Sequence, residues 1–243
     1  MMNDKIALKL NELLLYCRNV MPSDADVKVC KDSLDMQTNN SNSIQKLTCL
    51  YFYKVLMELS GSFVCVYEKE EFFSSATLLR SFFEYYIELK WINKDFDNRF
   101  ELRDKDATKQ KSKMINSAKQ SKSHSFDNFK EDPRTEESIK RNKEYLKDHN
   151  GVSIEEMCKD IGFSEFYTPY YRQLSEFAHV NLRRLSNNKF NGEDYYQIFD
   201  KYILMVVKAI KCSTSMLAKI WFNREILVID SLISEIENLF ENK

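Results

Sequence analysis

The stretch Phe72–Ile92, FFSSATLLRSFFEYYIELKWI, decides which class of fold this sequence can adopt. On a helix it is apolar around most of its circumference, and a helix of that kind is buried on several sides. The whole chain has only 4 glycines and 3 prolines in 243 residues. Those counts are too low for the turns of a sheet-rich fold or for Gly-rich cofactor loops. The sequence therefore predicts an all-helical bundle of about six to eight helices around this stretch.

Apolar residues at helical spacing predict further helices on both sides of the central stretch. These helices are expected at 4–19, 44–70, 167–186, 193–222 and 224–241. The polar segment 20–43 is expected to be loop. Ser153 and Glu156 form the pattern of a capping box, which predicts a short helix that stops near Gly162. Pro169 is tolerated in the first turn of its helix.

Residues 93–150 differ in composition from the rest of the chain, because they are lysine-rich and poor in large apolar residues. We expect one helical domain over 1–243, with 93–150 as a charged, partly mobile insertion. Lys105–Lys122 contains six lysines and one aspartate, whereas the whole chain has a net charge of -1. Such a run can bind phosphate backbones through counterion release, or it can keep a solvated insertion soluble. In the first case, the candidate RNA contacts are Lys109, Lys111 and Lys113.

Cysteine usage and the N-terminus predict a cytoplasmic protein. None of the six cysteines forms a C-x-x-C pair, so buried reduced thiols are expected. The three histidines are scattered, so neither a metal site nor a cofactor is predicted. The N-terminal segment mixes charges with its leucines, unlike a signal peptide. The sequence contains no run of about 18 uncharged apolar residues, so no membrane span is predicted.

The segment YTPYYRQLSEFAHVNLRRL, which begins at Tyr167, carries the most chemistry. Arg172 and His179 are seven residues apart, so they lie on one helical face. Three more polar residues share that face: Ser175, Glu176 and Arg183. The opposite face is predicted to be core. The polar face is either a functional site or a solvated surface with an incidental histidine.

Arg80 and Glu84 lie one turn apart on the otherwise apolar central stretch, and such charges need partners. They could simply pair with each other. Alternatively, they could face the polar stripe of the Arg172 helix, where a carboxylate from Glu84 or Glu176 would orient His179.

Two short motifs suggest a resemblance to known families. Leu78-Leu79-Arg80-Ser81-x-x-Glu84, followed by Tyr171-x-x-x-Ser175-x-x-x-His179, resembles a widespread bacterial family of helical domains of unknown function. Arg172 with His179 also resembles the R-x(4–6)-H motif of HEPN domains, although Gln173 stands where those enzymes often have Asn, Asp or His. The resemblance implies an all-helical homodimer that cleaves RNA without metal, with Arg172 and His179 as the catalytic pair.

The function predicted on this basis is an endoribonuclease of a toxin–antitoxin or phage-defence system. Histidine would serve as the base for the ribose 2′-hydroxyl, and arginine would stabilise the phosphorane. Its partners would be RNA, a second copy of the chain, and a cognate antitoxin or defence protein. The apolar stripes at 202–222 and 226–240 are a further reason to expect a homodimer. The alternatives are a non-catalytic helical sensor or partner-binding subunit, or a bundle that binds a small molecule or nucleotide.

Overall fold

The computed structural model describes residues 2–35, 41–121, 133–147, 149–178, 192–226 and 229–241. All regular structure within these ranges is helical, and no strand occurs in them. The prediction of an all-helical fold is therefore confirmed, although the described ranges contain eleven α-helices and not six to eight.

The helices of the described ranges follow the predicted ones closely in most places. They are α1 (Met2–Arg18), α2 (Asp24–Asp35), α3 (Ser41–Tyr67), α4 (Phe72–Lys94), α5 (Phe96–Gln120), α6 (Pro133–Tyr145), α7 (Ile154–Asp160), α8 (Ser164–Phe166), α9 (Arg172–Ala178), α10 (Gly192–Phe222) and α11 (Ile229–Glu241). A π-helical turn, Tyr167–Tyr171, joins α8 to α9. The capping box of Ser153 and Glu156 is present at the start of α7.

Helix α2 corrects the prediction that 20–43 is loop. The segment is polar, but Ser23 and Asp26 form reciprocal hydrogen bonds at its start: the Ser23 hydroxyl accepts from the Asp26 amide at 3.2 Å, and the Asp26 carboxylate accepts from the Ser23 amide at 3.1 Å. This is the geometry of a capping box with Asp in place of Glu. Cys30 is 8% exposed and anchors the helix to the core. One buried position and a good cap are sufficient for a short helix here.

Helix α4 is central, as the sequence predicts, and packs against α3, α5, α7, α9 and α10. Its apolar residues Leu79, Phe82, Phe83 and Ile87 are at most 1% exposed. Helix α3, its main neighbour, is long and apolar enough to cross a membrane by length and composition, the one such helix in the described ranges. Half of its most apolar window is buried within the bundle. Helix α3 is therefore compatible with the core helix of a soluble protein.

The apolar stripes of the last two helices are used within the chain itself. Ile203, Val207 and Ile210 of α10 are fully buried, and so is Ile236 of α11. Helix α11 packs against α1 and α10. Both stripes therefore contribute to the core of one chain, and their use in a homodimer stays a prediction.

All six cysteines are free, and Cys17, Cys30, Cys49 and Cys158 are buried. Burial raises the pKa of the Cys49 thiol to about 12 and that of Cys158 to about 11. These thiols are therefore protonated at neutral pH and pack as small apolar groups.

Helices α5 and α6 pack against each other, and a chain of charges ties α5 to the rest of the molecule. Arg103 of α5 binds Glu88 of α4 at 2.6 Å and Asp106 at 2.9 Å. Asp106 in turn binds His149 Nε2 at 2.8 Å. The boundaries of a 93–150 insertion remain a prediction, and residues 122–132 lie outside the described ranges.

Candidate functional site

The segment that carries Arg172 begins as a helix at Ser164, three residues earlier than predicted. Pro169 falls inside the π-helical turn, not in a first helical turn as expected. Proline has no amide hydrogen and cannot close an ordinary helical turn, so the wider turn accommodates it. The Arg172 amide bonds the Tyr167 carbonyl, five residues earlier, and regular α-helix follows. π-Turns of this kind occur frequently at functional sites.

The inner face of α9 is anchored to α4 and its neighbours. Leu174 is fully buried, while Tyr171 and Phe177 are each 7% exposed. The Phe177 ring contacts Phe72 edge-on, at a centroid distance of 5.0 Å. The outer face of the helix is therefore held in a defined orientation.

Arg80 and Glu84 pair with each other, and Glu84 also contacts Tyr171 on the segment that leads into α9. Arg80 Nε lies 3.0 Å from Glu84 Oε1, and the Tyr171 hydroxyl donates a hydrogen bond to the same oxygen. Burial raises the pKa of Tyr171 to about 12, and the bond to Glu84 acts in the same direction, so Tyr171 remains a donor at neutral pH. Glu84 therefore contacts this segment on its apolar face, at Tyr171, because that is the face that packs against α4.

The outer face of α9 presents the polar residues of the predicted stripe. Arg172 and Glu176 are exposed, and Ser175 is half-buried. Arg172 makes no hydrogen bond or ion pair with another described residue, and its charge helps Lys159 to lower the pKa of Glu155. Its guanidinium is thus available to an anionic ligand.

Two predicted site residues, His179 and Arg183, lie outside the described residues, since the description of this segment ends at Ala178. Their positions relative to Arg172 remain predictions from the spacing.

The candidate RNA-binding lysines lie on α5 and differ in their surroundings. Lys109 Nζ donates to the backbone carbonyl of His149 at 3.2 Å, so it also supports the fold. Lys111 and Lys113 are exposed. The structure thus leaves at least two of the three lysines accessible on one helix.

Sequence reasoning missed two residues of this region. Tyr171 was expected to be only core, yet its hydroxyl links the segment to Glu84. Gln173 accepts hydrogen bonds from Tyr202 at 2.9 Å and from Lys201 at 3.2 Å, and so attaches α9 to α10. Neither partner is close in sequence, so no local pattern could reveal these bonds. No group of three or more His, Cys, Asp or Glu arranged to hold a metal ion occurs among the residues that the structure describes.

The fold and this region define an all-helical protein with a polar helix face anchored on a central apolar helix. The chain belongs to a family of unknown function, DUF5677, whose model matches residues 46–196, more than half of the chain. The matched range contains the positions of Arg80, Glu84, Arg172 and His179. The prediction of an uncharacterised domain family is confirmed. Comparisons with curated proteins and with solved structures give no match.

Proposed function

We propose that this protein is a metal-independent, HEPN-like endoribonuclease, a toxin or phage-defence effector that acts in the cytoplasm as a homodimer. The observation that carries the proposal is the exposed guanidinium of Arg172, which makes no hydrogen bond or ion pair with a described residue, although its charge acts on Glu155. It stands on a helix whose other face is fixed by Leu174 and Tyr171. An exposed cation on an anchored helix is suited to bind a phosphate.

In the proposed reaction, His179 takes the proton of the ribose 2′-hydroxyl, which attacks the adjacent phosphorus. Arg172 stabilises the negative charge on the phosphorane oxygens. The 5′-oxygen of the next nucleotide leaves and takes a proton from a second histidine. In a two-fold dimer, that histidine is His179 of the other copy. Lys109, Lys111, Lys113 and Arg183 would bind the RNA backbone through charge.

The test is to incubate the protein with total RNA in the presence of a chelator. We expect cleavage products with 2′,3′-cyclic phosphate ends, and we expect Arg172→Ala and His179→Ala each to lower the rate by about 10²-fold or more. The matched control is Arg141→Ala, because Arg141 is an exposed arginine on α6. It should leave the rate unchanged.

Two results would contradict the mechanism. Chelator-sensitive cleavage with 5′-phosphate ends would indicate metal-dependent chemistry. Full activity of His179→Ala would show that the base is another residue.

A second candidate is a non-catalytic helical sensor or partner-binding subunit of the same kind of system. It is favoured by the linked side chains of Arg80, Glu84 and Tyr171, which stabilise the bundle without any substrate. In that case no RNA is cleaved, and Arg172→Ala weakens binding to an antitoxin or defence protein without changing the melting temperature.

A further inference from the structure

A cleft of about 820 Å³ lies where the start of α3, the end of α4 and the end of α10 meet. It lies away from the Arg172 helix. Lys90 and Lys94, which line the cleft, follow Glu84 on α4 by six and ten residues, or about 9 and 15 Å along a helix axis. The volume is that of a site for a small organic molecule.

Positive charge predominates in the cleft. Lys90, Lys219 and Arg224 line it and form no ion pair with a described carboxylate, whereas Glu225 is its one acidic lining residue. Lys94, a fourth cation, pairs with Asp160 at 3.0 Å, and Asp160 also pairs with Arg99. Three uncompensated cations against one carboxylate leave the cleft positive, and an anionic ligand would relieve their mutual repulsion.

Aromatic rings orient two of these cations. Lys90 Nζ lies 5.4 Å from the centre of the Phe163 ring and 5.8 Å from that of Tyr86. The Arg224 guanidinium lies 4.7 Å from the centre of the Phe222 ring. Contacts of this kind hold a cation without neutralising it.

The remaining lining residues suit an organic ligand that carries polar groups along its edge. Met216, Ile220 and Ile226 form an apolar wall. Gln45 Nε2 donates to Asn93 Oδ1 at 3.1 Å, and the side-chain oxygen of Gln45, Oε1, accepts no hydrogen bond from a described residue. An amide held in this way can recognise the donor and acceptor edge of a base.

We infer that this cleft binds a nucleotide, with the phosphate on Lys219 and Arg224 and the base between the apolar wall and the Gln45–Asn93 pair. Inorganic phosphate alone would leave most of the cleft empty, and a nucleoside alone would leave the cations unpaired. The site does not depend on the proposed RNA cleavage. Much of it belongs to α10 and the residues that follow, beyond the 46–196 range matched by the family.

The experiment is isothermal titration calorimetry of the full chain with the four nucleoside 5′-monophosphates, the parent nucleosides and inorganic phosphate, at about 0.15 M salt. We expect at least one nucleotide to bind at least tenfold more tightly than its nucleoside and than phosphate. Lys219→Glu and Arg224→Glu should each weaken that binding about tenfold or more. Both residues are exposed, so circular dichroism should show an intact fold.

The matched control is Lys54→Glu, since Lys54 is an exposed lysine of α3 that does not line the cleft. It should leave binding unchanged. The inference is overturned if no nucleotide binds, if phosphate or nucleoside binds as tightly as the nucleotide, or if the two charge reversals have no more effect than the control. Binding of an RNA oligonucleotide without binding of any mononucleotide would also overturn it, and would make the cleft an RNA surface.

Discussion

At the scale of single residues, Tyr171 stands between the fold and the candidate site. Its hydroxyl binds Glu84, which is also held by Arg80, and the next residue is the exposed Arg172. The hydrogen bond therefore holds Tyr171 against α4, directly before the exposed Arg172. A charge-assisted bond of this kind is stronger than a neutral one, although partial exposure of Glu84 reduces its contribution.

We predict that Tyr171→Phe lowers the free energy of unfolding by about 1 kcal/mol, because the Glu84 carboxylate loses a donor. The pKa of Tyr171 is raised in the folded state, so its contribution should be lost as the pH rises from about 10 towards 12. Urea denaturation at neutral and alkaline pH measures both effects.

Tyr16→Phe is the matched control for this change. Tyr16 is a half-buried tyrosine whose hydroxyl has no partner among the described residues, so its removal should have little effect. Equal stability of both variants and wild type would show that the Tyr171 hydroxyl contributes nothing.

At the scale of elements, the connection between α6 and α7 packs closely against α5, where Gly151 lies next to Asp106. Gly151 has φ +84, and a Cβ there would lie 2.9 Å from Asp106 Oδ1, the oxygen that binds His149. Both the backbone conformation and the available space therefore require glycine.

We predict that Gly151→Ala lowers the free energy of unfolding by about 2 kcal/mol, as a sum of backbone strain and displacement of Asp106. The control is Gly162→Ala. Gly162 also has a positive φ, of +73, but a Cβ there would meet nothing within 4 Å, so only the backbone cost of about 1 kcal/mol is expected. Urea denaturation curves that coincide for the two variants would rule out a contribution from the Asp106 contact.

At the scale of the whole molecule, the apolar faces of α10 and α11 are buried within one chain. The candidate site, in contrast, uses the outer face of α9, where Arg172 is exposed. For the proposed homodimer, we therefore expect this polar face to lie at the interface, in place of the stripes at 202–222 and 226–240.

We predict that light scattering at tens of micromolar gives twice the chain mass of 28.9 kDa. We further predict that the dimer weakens at high salt, because a polar interface with exposed charges is screened. Leu8 of α1 is 58% exposed and far from α9 in sequence, so Leu8→Lys serves as the control and should not change the mass. A monomer mass across the concentration range would contradict the dimer.

The sequence by itself determined the helical class, the central position of α4 and the capping box at Ser153, because these depend on periodicity and on hydrogen bonds within a few residues. It also predicted that Leu174 would face inward and Arg172 outward. The resemblance of Arg172 and His179 to the HEPN motif added the hypothesis of a catalytic pair, and this hypothesis stays a prediction.

Only the tertiary structure decided which partners the polar groups find. Glu84 and Tyr171 are 87 residues apart, and the cleft takes its lining from the ends of three helices, α3, α4 and α10. Helix packing brings such residues together through contacts along whole faces, so no local spacing encodes which side chain meets which. The π-turn at Pro169 shows the same limit on a smaller scale. The sequence predicted Pro169 in a first helical turn, whereas the structure starts the helix at Ser164 and places Pro169 inside a π-turn.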